Sequence, residues 1–286
     1  MDIFGGRMYT ECNDKKISKK NTFKLTEVLI PAKEHKIPAT ICMPDTDGVC
    51  PVVVMLHGTG SNRDEAGNGY KLAAQVFAMK YGIATIRFDF MGSGDSTANS
   101  LDYNFSTAIA DVLECVKYIC AIENVDAKNI GIMGWSQGGT IALLSAARNK
   151  EMFKSIVTWA GAPDLGILLT DELYKEAKEN GHFVMNFDWR TPLHCSLQWC
   201  EDVKGTNVLE EFAAFDGPVL AIHGLADDVV DPVWSERIVS VNKSKDSRVS
   251  FIEGMDHAFN TFLEPECISL YKAIDETGEF FAAMLI

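Results

Sequence analysis

Short β-rich runs that break off at or near glycine recur along this chain, and they restrict its fold more than any other feature. Val52-Val53-Val54-Met55-Leu56 is apolar at every position and stops at His57-Gly58. A strand with one wet face would alternate, so an unbroken run reads as a strand covered on both faces, as in a parallel sheet wrapped by crossover helices. Ala84 to Phe88, Ile130 to Met133, residues 155–160 and Pro218 to Ile222 repeat the pattern, and 248–252 closes it at Gly254. Helical stretches separate these runs at about 69–81, 104–123, from Gly138 to about 148, 232–241 and 266–283. The second carries Ile109, Val112, Leu113, Val116, Ile119 and Cys120 at three-and-four spacing, one face for the sheet. Two opening strands, 23–30 and 38–42, bounded by Pro31 and Pro44, read as an antiparallel hairpin.

Between about 162 and 213 the rhythm breaks. This segment lacks a clear buried strand and reads as an insertion. Tyr174, Phe183, Met185, Phe187, Trp189 and Trp199 are more large side chains than a solvated loop needs, so some face the core or line a pocket.

Lysine and arginine number 26 against 40 acidic residues, a net charge of −14. Such a surface repels phosphate backbones and anionic headgroups, so neither nucleic acid nor a membrane is an expected partner. The lysines at Lys15, Lys16, Lys19, Lys20 and Lys24 read as a solvated arm. Eight cysteines, none in a Cys-x-x-Cys pair, read as free thiols. The start Met1-Asp2-Ile3-Phe4-Gly5-Gly6 has no basic-then-apolar signal, and no apolar run reaches the ~18 to 20 residues of a membrane span, so a cytoplasmic location is expected. The sequence leaves a homo-oligomer open.

Gly134-Trp135-Ser136-Gln137-Gly138 follows one of the apolar runs and opens an alanine-rich helix. Gly-x-Ser-x-Gly in that setting is a sharp strand-to-helix corner that presents a serine hydroxyl, with small residues demanded where the backbone crowds. A serine hydroxyl is a poor nucleophile until a base takes its proton, and the base needs a carboxylate to hold its tautomer. Four histidines follow Ser136. His182 and His194 fall in the insertion, His223 continues a buried strand and reads as packed and hydrogen-bonded, and His257 stands in a loop just past the last strand, where it can reach the sheet edge. His257 is the expected base. The loop after His223-Gly224 offers Asp227 and Asp228 as the acid, while Asp231 before Pro232 suits a helix cap. The amide of Gln137, next to the nucleophile at a helix start, is an expected oxyanion donor.

Taken together, His57-Gly58, the Asp89 to Ser96 loop, Gly134 to Gly138, His223-Gly224-x-x-Asp227-x-x-Val230 and Gly254-x-x-His257 resemble the α/β-hydrolase superfamily over essentially the whole chain. The resemblance implies an α/β-hydrolase fold, a mostly parallel central sheet with helices on both faces, and makes 162–213 a small inserted cap within a single domain of 1–286. It implies Asp227 rather than Asp228 as the acid and the Thr59 amide as the second oxyanion donor, with His57 bracing the loop. One departure is Asp231, where relatives carry proline directly after the valine; here the proline is Pro232.

The chain is also similar to bacterial cinnamoyl and feruloyl esterases, in the core motifs and in the place and size of the insertion. The expected activity is therefore hydrolysis of a small-molecule carboxylic ester, hydroxycinnamoyl or short-chain, through an acyl-enzyme on Ser136 with His257 and Asp227. No cofactor and no metal are expected: Gly92-Ser93-Gly94 lacks the third glycine of a nucleotide loop, and His194-Cys195 with Cys200 fits no zinc spacing. A peptidase, thioesterase or acyltransferase built on the same three residues is the alternative, and a hydrolase-fold binding protein without turnover the remote one.

Overall fold

The computed structural model describes residues 22–286. Lys15, Lys16, Lys19, Lys20 and the segment Met1 to Gly6 lie outside the described residues; Lys24 is exposed on the first strand. That strand, β1 (Phe23–Pro31), pairs antiparallel with β2 (Lys36–Pro44), which runs antiparallel to β4 (Ala84–Phe88). From β4 onward every pairing is parallel, through β3 (Cys50–Leu56), β5 (Val125–Trp135), β6 (Ser155–Trp159), β9 (Val219–Gly224) and β10 (Arg248–Ile252). The sheet order is β1-β2-β4-β3-β5-β6-β9-β10.

β3 shows why its sequence is apolar throughout. Val52, Val54 and Leu56 join one core while Val53 and Met55 join the other. The first core lies under α2 (Phe105–Cys120) and α3 (Gln137–Arg148); the second lies under α1 (Gly69–Val76) and α8 (Ile268–Leu285). Every β3 residue is buried, so a charge at any of them would lose water on either face. α2 begins at Asn104, whose side chain accepts the Thr107 amide while Thr107 Oγ1 accepts the Asn104 amide. The helix continuing α1 is a π turn, Phe77–Tyr81.

Two features differ from the sequence reading. β5 starts at Val125 rather than near Ile130, because Val125 pairs with Cys50 and an irregularity between Cys50 and Val52 brings the polar stretch into register. The segment between β6 and β9 holds α4 (Asp171–Asn180), a two-stranded hairpin of β7 (His182–Phe187) and β8 (Arg190–Ser196), α5 (Leu197–Gly205) and α6 (Val208–Phe212). Its hairpin has one face to solvent, so it lacks the continuous apolar signature of the main sheet.

The thiol expectation is corrected at one position. Cys42, Cys50, Cys115, Cys120, Cys195 and Cys200 are free, but Cys267 is disulfide-bonded. Cys12 lies outside the described residues. No helix among the described residues is long and apolar enough to cross a membrane.

Candidate active site

Ser136 stands between β5 and α3 with φ 54° and ψ −121°, a conformation that costs a side-chain-bearing residue about 1–3 kcal/mol. The corner is held by backbone bonds: the Ser136 amide donates to Trp159 O at 2.9 Å, and Ser136 O accepts from Gly139 at 2.9 Å and Ala162 at 3.1 Å. The two flanking glycines leave no room for a side chain. A Cβ on Gly134 would stand 2.0 Å from Gly138 O, and one on Gly138 would stand 2.0 Å from Leu56 O. Ser136 itself keeps partial solvent access.

Asp227 and His257 come from the loops after β9 and β10, and His257 Nδ1 lies 2.8 Å from Asp227 Oδ2. Asp228 is exposed, and Asp231 accepts the Val233 amide at 2.9 Å at the start of α7 (Val233–Val241). Burial alone would raise the Asp227 carboxyl. Hydrogen bonds from His223 and His257, the charge of His257 and the Val230 amide overcome that and hold it well below the usual carboxylate range. Its Oδ1 accepts the amides of Val229 and Val230, each at 2.9 Å.

His223 is fully buried and hydrogen-bonded, as its place at the end of a buried strand suggests. Its Nε2 lies 3.0 Å from Asp227 Oδ2 and 2.9 Å from Val230 O, both acceptors, so this nitrogen carries a proton; its Nδ1 lies 2.8 Å from Ser235 Oγ. The His257 loop is held by its neighbours. Trp135 Nε1 donates to His257 O at 3.0 Å, and the Asp256 and Asn260 side chains each accept the other's amide, at 2.7 and 2.9 Å.

Thr59 and Gln137 face each other across the same corner. Neither amide has a protein acceptor among the described residues. The direction of the Thr59 N–H follows from its own peptide: Gly58 O is gripped by His57 Nδ1 at 2.8 Å and by the Ser61 amide at 3.2 Å, and in a planar trans peptide the N–H points the opposite way. His57 is buried, and its Nε2 accepts the Phe90 amide at 3.1 Å, which fixes the proton on Nδ1. His57 therefore braces this loop. Thr59 Oγ1 donates to Gln137 Oε1 at 2.8 Å, and Gln137 Nε2 donates to the Tyr103 hydroxyl.

Beside these groups lies a slot of about 20 Å³, lined by His57, Phe90, Tyr103, Leu193, Cys195 and Trp199 among others. That is room for little more than one water molecule. Burial pushes the Cys195 thiol up to about 12 and the Tyr103 phenol above its ordinary range, so both are neutral walls. Arg190, at the start of β8, reaches over to donate to Gly60 O at 2.7 Å and Gly92 O at 3.1 Å. The Gly92 loop is a structural knot in which buried Asp89 accepts from Arg63 and, at 2.9 Å, from the Asp95 amide. The reading of the sequence passed over Glu65, Tyr103 and Arg190, none of which belongs to a spaced motif, and it gave His223 a packed, hydrogen-bonded place without naming Asp227 as its partner.

Residues 69–261, more than half of the chain, match the prolyl oligopeptidase family. The chain belongs to that family. The matched stretch of this family member includes Ser136, Asp227 and His257, while Thr59 precedes it. Among its relatives are the 2,6-dihydropseudooxynicotine hydrolase of Paenarthrobacter nicotinovorans, 28% identical over 214 residues that cover 70% of this chain and 52% of that protein. Another is the human mitochondrial palmitoyl-protein thioesterase ABHD10, 26% identical over 197 residues, 66% of this chain and 62% of that one. The chain thus spans about half to three fifths of the length of these curated relatives. Est1E from Butyrivibrio proteoclasticus, solved with ferulic acid, superposes with a TM-score of 0.72 at 21% identity over 90% of this chain and 98% of that one. That likeness is one of fold. The family and the α/β-hydrolase fold are thus both shown for this chain.

Proposed function

We propose that this family member is a serine carboxylic ester hydrolase acting on short-chain acyl esters. Ser136 Oγ attacks the ester carbonyl, His257 takes the serine proton and returns it to the departing alkoxide, and Asp227 holds the imidazole and stabilises its charged form. The amides of Thr59 and Gln137 receive the oxyanion. Water, activated by the same histidine, then releases the acid. Every group comes from the chain itself, and residues 162–213 serve as a cap within one catalytic domain, its hairpin closing the acyl slot.

The observations that carry the reading are the Asp227 to His257 bond of 2.8 Å and a serine held at positive φ in the corner between β5 and α3. The slot of about 20 Å³ beside Thr59 and Gln137 has no room for a hydroxycinnamoyl ring, which favours a short acyl group. Comparing p-nitrophenyl acetate with longer alkyl esters and methyl ferulate tests the substrate. Replacing Ser136 by Ala should abolish turnover and fluorophosphonate labelling, and retained labelling would remove Ser136 from the mechanism.

A further inference from the structure

We propose that Glu65 is a positioning residue for the loop that carries Thr59, and that its strained backbone is what delivers its carboxylate there. Glu65 has φ 62° and ψ 178°, a region populated almost entirely by glycine. Such a conformation persists only where the surroundings over-determine it, and the surroundings here are explicit.

One carboxylate ties both ends of a four-residue loop. Oε1 accepts the Gly58 amide, and Oε2 accepts the Ser61 hydroxyl at 2.8 Å and the Ala66 amide at 3.0 Å. Gly58 and Ser61 flank Thr59 and Gly60, so a single side chain spans the stretch whose central amide we assign to the oxyanion. Nucleophile, loop and carboxylate are close-packed: a Cβ on Gly58 would lie 3.3 Å from Ser136 Cβ and 3.4 Å from Glu65 Oε1.

The residues before Glu65 supply a rigid base. Arg63 pairs with buried Asp89, and Asp64 Oδ1 accepts Arg87 Nε at 2.8 Å, which anchors this segment to β4 and the loop after it. The Glu65 amide donates to Asn62 O at 3.0 Å. With Asp64 and Asn62 fixed, a relaxed backbone at Glu65 would send its side chain elsewhere; the positive φ turns it inward. Both carboxylate oxygens accept hydrogen bonds from the loop, so the group acts by holding its geometry.

This inference rests on the ester hydrolase reading for its effect on rate, but its structural half does not. The test compares Glu65→Gly, which relieves the strain and removes the carboxylate, with Glu65→Gln, which keeps an acceptor oxygen. Glu65→Gly is expected to hold or raise the melting temperature while amide hydrogen exchange across 57–61 speeds up. For p-nitrophenyl acetate, kcat falls by roughly tenfold or more with KM nearly unchanged, and Glu65→Gln recovers most of kcat. Three results overturn the proposal: wild-type exchange at 57–61 in Glu65→Gly, faster exchange with unchanged kcat, or a kcat loss that tracks a fall in melting temperature and is not restored by glutamine. Failure of the underlying reading shows itself differently, as a wild-type protein that turns over no ester, and the exchange data then still decide whether Glu65 holds the loop.

Discussion

His223 Nε2 lies 3.0 Å from the same Asp227 oxygen that His257 Nδ1 approaches at 2.8 Å. One carboxylate oxygen therefore serves two imidazoles, of which His223 is fully buried. His223→Phe should remove part of what holds Asp227 below the usual carboxylate range. A carboxyl lowered on folding contributes stability that is present above its unfolded value near pH 4 and is lost as pH falls through the folded value. Raising the folded value shrinks that contribution, so the variant is expected to start less stable at neutral pH and to lose less on acidification, its deficit against wild type narrowing as pH falls below the unfolded value near 4. At neutral pH it should also lose about 1–3 kcal/mol through the stranded Ser235 hydroxyl and carboxylate. Urea unfolding between pH 7 and pH 3 measures both, and curves parallel to wild type at every pH would reduce His223 to a space-filler.

Asp227 and Asp228 are adjacent in sequence but differ in environment. Asp227 is buried against His257, whereas Asp228 is exposed. Asp227→Asn is expected to lower kcat by about 10⁴-fold, because an amide no longer holds the imidazole in the tautomer the base needs. Asp228→Asn should leave turnover within about twofold, as expected of a solvated surface change. Steady-state kinetics on one ester separates them.

What could be read from the sequence is what burial on two faces writes into it. Val52 to Leu56 and Pro218 to Ile222 are apolar at consecutive positions because neighbours cover both sides, and the corner at Ser136 needs Gly134 and Gly138 because backbone atoms stand 2.0 Å from where their side chains would be. The hairpin β7–β8 leaves a weaker trace, since half of it meets solvent. Glu65 leaves none: a positive φ in a glutamate is imposed by Arg63, Asp64 and the Gly58 amide, which are tertiary partners rather than a local pattern. The hydrogen-bonded state of His223 follows from its place at the end of a buried strand, but that its partner is Asp227 depends on how the loop after Gly224 folds back.

Ser136 pays for its exposure with backbone strain at φ 54°. Ser136→Gly should abolish ester turnover and raise the melting temperature by a few degrees, since relief of about 1–3 kcal/mol exceeds the added chain entropy of glycine and a gain of 1 kcal/mol is worth about 2–4 °C in a chain of this size. Calorimetry checks the sign; a lower melting temperature would show that the Ser136 side chain stabilises the corner by more than its backbone costs.

Leu193 lines the slot proposed to take the acyl group and is only partly buried, which makes it the wall that can be cut back at least cost. Leu193→Ala should shift kcat/KM toward butyryl over acetyl p-nitrophenyl esters by about tenfold, the scale of one or two added methylenes finding room. An unchanged chain-length profile would mean that the acyl group lies elsewhere.

Arg190 joins the hairpin of residues 182–196 to two loops of the main body, through Gly60 O at 2.7 Å and Gly92 O at 3.1 Å, while its Nε donates to Thr191 O at 2.9 Å. The three donors are used in a fixed planar fork, and a lysine ammonium at the same place can satisfy one carbonyl but not both loops and its own backbone together. Charged donors to carbonyl groups contribute about 1.5–3 kcal/mol each when buried, and less at this half-exposed site. Arg190→Lys should therefore leave global stability nearly intact yet loosen the hairpin, seen as faster limited proteolysis within 182–196. Because Gly60 follows Thr59 directly, the same change should lower kcat/KM by about tenfold, acting on kcat more than on KM. Faster proteolysis with unchanged kinetics would mean that the hairpin's grip on Gly60 is separate from the chemistry, and wild-type proteolysis would mean that other contacts hold the hairpin in place.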